Sequence, residues 1–79
     1  KIPDMIRADV FLSEFKEFQE KGQFPNLVII FLPSDHTSGT SAGNPTPRAQ
    51  VADNDLAVGR IVEALSNSRF WPKTCIFVI

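Results

Sequence analysis

Between Val10 and Lys21 the apolar positions fall at helical spacing. Phe11, Phe15 and Phe18 share one stripe, with Val10 and Leu12 beside it. Glu14, Lys16, Glu17 and Glu20 take the other side. The pattern predicts an amphipathic helix that begins near Ala8 or Asp9 and ends near Lys21, with the phenylalanine stripe as core. Gly22 supplies the stop, and Pro25 follows shortly after. From Leu27 to Leu32 six apolar residues run without interruption, and Pro33 ends them. A short apolar run bounded by turn residues predicts a strand buried on both faces.

Pro33 to Pro47 is a fifteen-residue stretch made almost wholly of Ser, Thr, Gly, Pro, Asn and Asp. Such a length predicts a functional loop or a flexible surface excursion. A second helix then opens with Thr46 as N-cap and Pro47 at the first helical position, where a missing N–H costs nothing. Its predicted inner face carries Val51, Asp55, Val58, Val62 and Leu65, flanked by Ala52, Gly59 and Ile61. Gly59 costs about 1 kcal/mol relative to alanine inside a helix. Close packing of the helix on a sheet is the expected reason for it. The helix frays around Ser66-Asn67-Ser68, residues 69–73 form a loop, and Thr74–Ile79 reads as a second buried strand. Helix, strand, loop, helix and strand in that order predict an α/β fold, with a right-handed βαβ unit and parallel strands.

Composition narrows the classes of partner. The 79 residues include 8 basic and 9 acidic side chains, well mixed, for a net charge of −1. This argues against a nucleic-acid surface or a polybasic membrane patch. No apolar run approaches the ~20 residues needed to span a bilayer. A single cysteine, Cys75, allows no internal disulfide; inside a strand it is expected to be a small buried hydrophobe. The chain starts without methionine and ends within an apolar run, so it is expected to be an internal piece of a longer protein.

The candidate chemistry gathers just after the first predicted strand. In open α/β sheets, ligands bind beyond the carboxyl ends of the strands, and Asp35 and His36 fall there. His36 is the only histidine. It is either a surface residue or a functional one; a histidine can ligate zinc, hydrogen-bond a phosphate or act as a general acid. Asp35 could orient His36, ligate a metal or cap the turn. Ser34, Thr37, Ser38, Thr40 and Ser41 read as turn chemistry, because no nucleophile elbow accompanies them. Asp53, Asn54 and Asp55 form a polar cluster in the second helix, expected to make a structural hydrogen bond.

The stretches NLVIIFLPSDHTSGT and PTPRAQVADNDLAVGRIVEALSNSRFWPKTCIFVI resemble the bacterial phosphoesterase family of the alkaline phosphatase superfamily. That family includes phospholipase C-like enzymes and acid phosphatases. The resemblance runs from Asp9 onward and is most specific in LPSDHT (Leu32 to Thr37), PTPRA (Pro45 to Ala49) and VADNDLAVGRIVEAL with SRFWPKT after it. It implies a fragment of a three-layer α/β sandwich: residues 1–79 as one partial domain from the C-terminal half of a larger phosphoesterase domain. It further implies a metal-dependent hydrolase of phosphate mono- or diesters, with zinc, manganese or calcium as cofactor and a periplasmic or secreted location. Asp35 and His36 would be catalytic, His36 and Thr37 would contact the phosphate ester, and Asp35 would be a metal ligand, the other ligands lying elsewhere. Whether His36 binds the metal, contacts phosphate or donates a proton to the leaving group is open. The fragment alone is expected to be inert. The alternative is a non-catalytic binding or scaffolding member of the same fold.

Overall fold

The structure is a computed structural model that describes residues 2–36 and 46–79. Two long helices dominate it. Helix α1 spans Asp4–Lys21 and helix α2 spans Pro47–Ser66. Short 3-10 turns follow at Pro33–Asp35 and Trp71–Lys73. The residue pairs that bridge the helices rise together in number: Asp4 with Asp53, Asp9 with Arg60, Gln19 with Arg69. The helices therefore run side by side in the same direction, and the chain must travel back along their length between them.

Each helix end has a local or borrowed cap. At the C-terminus of α1, Gly22 adopts φ 72°, ψ 20°. Its N–H donates to Gln19 O and the Gln23 N–H to Phe18 O, at 3.2 and 3.1 Å. This is the paired closure that a left-handed residue makes possible. At the start of α2, Thr46 Oγ1 accepts from the Ala49 N–H at 3.2 Å, with Pro47 in the first turn, as the sequence predicts. The start of α1 is different. Pro3 offers no side-chain cap. Its carbonyl accepts from the Ile6 and Arg7 N–H groups, and the remaining two donors, on Asp4 and Met5, go to the carboxylate of Asp53. Pro3 has no N–H, so the orphan donors of the first turn are those of Asp4, Met5 and Ile6, and all three are satisfied, two of them by the other helix. This is why α1 begins at Asp4, four or five residues before its predicted start.

The core lies between the helices: Ala8, Phe11 and Phe15 from α1 meet Ala57, Ile61 and Leu65 from α2. Phe15 is 1% exposed. Its ring packs on Phe11, Phe24 and Phe70 with centroids 5.7, 5.3 and 6.0 Å apart. The phenylalanine stripe is core as predicted, while Val10 faces solvent. The buried face of α2 is rotated from the predicted one. Gln50, Ala57, Ile61 and Leu65 point inward, whereas Val51 and Asp55 are exposed and Val58 and Val62 half-buried. Gly59 has nothing within 4 Å of where a Cβ would stand, so no close packing explains it.

The α/β fold is overturned. Among the described residues there is no strand, so neither the βαβ unit nor the sandwich layer is present. Residues 27–32 and 74–79 carry no regular structure. Leu27, Ile29 and Phe31 are 78, 86 and 69% exposed, and Phe77 and Val78 are also open to solvent. Cys75 is exposed rather than buried. The physical reason is that a strand exists only through its neighbours. A parallel pair is stable inside a larger sheet covered on both faces, and two strands alone lack that support. No helix is long and apolar enough to cross a membrane among the described residues.

Candidate functional site

The Asp35–His36 pair sits on a turn that both helices pin from below. Ser34 is the pivot. It is 2% exposed. Its N–H donates to Asp4 Oδ2 at 3.0 Å, and its hydroxyl donates to Asp53 Oδ2 at 3.1 Å. Asn54 Nδ2 donates both to Asp4 Oδ2, at 3.0 Å, and to the Leu32 carbonyl, at 2.9 Å. Asp53 Oδ2 also accepts from the Asp4 N–H at 2.6 Å, and Asp53 Oδ1 from the Met5 N–H at 3.3 Å. The His36 N–H returns to Pro33 O at 2.9 Å and closes the turn.

Asp4 is fully buried. A buried carboxylate is tolerable only if donors surround it. Asp4 Oδ2 has two, while Oδ1 has no hydrogen-bond partner and faces Arg7 Nε at 4.0 Å. The Arg7 guanidinium in turn lies over the Phe31 ring, 6.0 Å from its centroid. Asp4 and Asp53 therefore serve as acceptors for backbone and side-chain donors, with a cation alongside. The cluster predicted in α2 resolves accordingly: Asp53 and Asn54 make the structural bonds, to α1 and the turn instead of to a sheet, and Asp55 faces solvent.

From this base the two predicted chemical residues project outward. His36 Nε2 lies 3.7 Å from Asp35 Oδ1, with side chains 85% and 49% exposed. The distance is too long for a direct hydrogen bond, but it brings a carboxylate into the immediate field of the imidazole. Both groups are open to a ligand from solution. Thr37, predicted to contact phosphate, lies outside the described residues, as do Ser38, Thr40 and Ser41. Among the described residues no three His, Cys, Asp or Glu side chains converge on a point that could hold a metal ion. Asp35 and His36 supply two donor groups, fewer than the three protein ligands a catalytic zinc site uses. The pair by itself does not fit a metal site.

A groove of about 540 Å³ lies elsewhere, at the C-terminal end of α1, lined by Gly22, Phe24, Arg69, Phe70 and Lys73 among others. An 18-residue helix is about 27 Å long, so this groove stands roughly that far from the Asp35–His36 turn. Sequence reasoning placed the pair beyond the carboxyl end of a buried strand, and that strand is not formed among the described residues; the pair stands instead on a 3-10 turn between the two helices. Sequence reasoning also missed Asp4 and the clamp on Ser34, since nothing local in LPSDHT announces partners 19 and 30 residues away. The chain matches no family model, no curated protein and no solved structure in comparisons with each.

Proposed function

We propose that the chain is part of a metal-dependent phosphoesterase that hydrolyses phosphate mono- or diesters, with Asp35 and His36 as its contribution to the active site. The observation that carries the reading is the presentation of that pair. Two adjacent polar side chains stand in solvent on a turn whose backbone is held by buried hydrogen bonds. A surface histidine with no task needs no such footing. In this role His36 donates a hydrogen bond to a phosphoryl oxygen, or a proton to the departing ester oxygen, with the Asp35 carboxylate beside it. The LPSDHT wording around the pair, similar to that of bacterial phosphoesterases, supports phosphorus as the centre attacked. A bound metal would supply charge neutralisation at the phosphoryl oxygens, with Asp35 as one ligand and the remaining ligands from elsewhere in the protein.

A second reading, a non-catalytic binding or scaffolding role, is favoured by one observation. Leu27, Ile29 and Phe31 are exposed in a single stretch, and contiguous apolar surface of this kind commonly marks an interaction site. Hydrolysis separates the two. The full-length protein that carries this chain is stripped with chelator, then assayed on a chromogenic phosphomonoester and diester with zinc, manganese or calcium restored. Activity that returns with metal and falls ~10²-fold or more in His36→Ala matches an acid–base or charge-stabilising role. Activity that His36→Ala leaves unchanged removes His36 from the machinery. Absence of hydrolysis with every metal favours the scaffolding reading.

A further inference from the structure

Asp53 does not touch the Asp35–His36 pair, yet the geometry ties it to them. Its Oδ2 accepts from the Ser34 hydroxyl and from the Asp4 N–H at once. Asn54, the next residue along α2, holds the Leu32 carbonyl, and Asp4 at the start of α1 holds the Ser34 N–H. The backbone on both sides of Pro33 is thus fixed from two helices. The carbonyl of Pro33 then fixes the amide of His36.

We propose that Asp53 is a positioning residue for His36, acting through the Ser34 hydroxyl to set the direction in which the Asp35–His36 turn leaves the helices. The inference rests on the phosphoesterase reading for its catalytic consequence, though not for its structural one. A group that donates a proton or a hydrogen bond in the transition state must be placed to within about 1 Å, and misplacement costs orders of magnitude in rate. The backbone that carries the imidazole sets where the side chain starts from, and Ser34 is the buried part of that backbone.

Ser34→Ala is the variant of choice, because it severs the link while leaving both bonds from Asp53 to α1 intact. Asp53→Ala would also uncap α1 and confuse positioning with folding. Two readouts are needed. In the metal-restored full-length protein, kcat for a chromogenic phosphate ester falls ~10-fold or more with KM within about twofold, as for an interaction made only in the transition state. In solution NMR of the same variant, the His36 amide loses its slow hydrogen exchange and its side-chain resonances shift and broaden, while those of Phe15 and Ile61 stay in place. Unchanged kcat together with an unchanged His36 environment overturns the proposal. So does a variant in which KM rises and kcat holds, since that assigns the hydroxyl to substrate binding. If the unsubstituted protein hydrolyses neither ester, the phosphoesterase reading fails by itself. The His36 resonances then decide the positioning role alone: disorder on Ser34→Ala upholds it and an unaltered environment refutes it.

Discussion

Asp53→Ala tests the most unusual joint in the structure, a helix whose cap comes from 49 residues away. The substitution strips two N–H groups at the start of α1 of their acceptor. N-cap losses of this kind cost about 0.5–2 kcal/mol. It also leaves the Ser34 hydroxyl, buried at 2% exposure, without a partner, which costs roughly 1–3 kcal/mol. One effect opposes these. Asp4 and Asp53 are two carboxylates in one cluster, and removing one relieves their repulsion. The donors around each carboxylate outnumber that single like-charge contact, so the balance stays destabilising, at about 2–4 kcal/mol. For a chain of this length the total stability is about 4–12 kcal/mol, so the loss is large. Urea unfolding followed by circular dichroism reads it as a fall in midpoint without change in slope. A double-mutant cycle with Ser34→Ala should show a coupling of ~0.5–1.5 kcal/mol. A cost below ~0.5 kcal/mol, the ordinary surface value, would refute the borrowed cap, and additivity of the two substitutions would refute the Asp53–Ser34 link.

Other substitutions probe where the sequence and the structure part. Gly59→Ala should stabilise the chain by ~0.5–1 kcal/mol, because the position is exposed and helical; a loss of stability in the same urea titration would mean that something packs on that face. Cys75 should be alkylated by iodoacetamide in native buffer at a rate close to that in urea, since it is exposed; strong protection would restore the buried strand. Phe15→Ala should cost about 3–5 kcal/mol as a buried aromatic, read as a large fall in the urea midpoint, and a loss under ~1.5 kcal/mol would argue against the three-ring cluster around it.

What the sequence disclosed was local. Thr46-Pro47 at the start of α2 and Gly22 at the end of α1 are legible because the cap, the ring and the positive φ act within a few residues of themselves. The Phe11–Phe15 stripe is legible because helical periodicity places both on one face. What failed was whatever depended on distant partners. The start of α1 was misplaced because its cap, Asp53, belongs to the other helix. Apolar spacing predicts an inner face of α2 through Val51 and Asp55. The polar bonds of Asp53 and Asn54 turn that end of the helix instead, so that Gln50 faces inward and Val51 outward. The runs 27–32 and 74–79 have the pattern of strands because apolarity records a tendency toward burial. It does not record whether a ladder partner is there to complete it. For the site, Asp35 and His36 were visible as neighbours in the chain, and the residues that hold them were not.

The central claim is that Ser34 is a buried, doubly bonded anchor beneath an exposed Asp–His pair, and native-state hydrogen exchange at its amide tests this directly. With its N–H bonded to Asp4 Oδ2 in a buried site, the Ser34 amide should exchange at least ~10²-fold more slowly than in the unfolded chain. It should also exchange more slowly than the amide of Asp35 beside it, for a difference confined to adjacent residues cannot come from the global stability alone. Exchange of Ser34 at the unfolded rate, while the amides of Phe15 and Ile61 remain protected, would show the helices packed but the anchor absent. The account of the site would then be wrong.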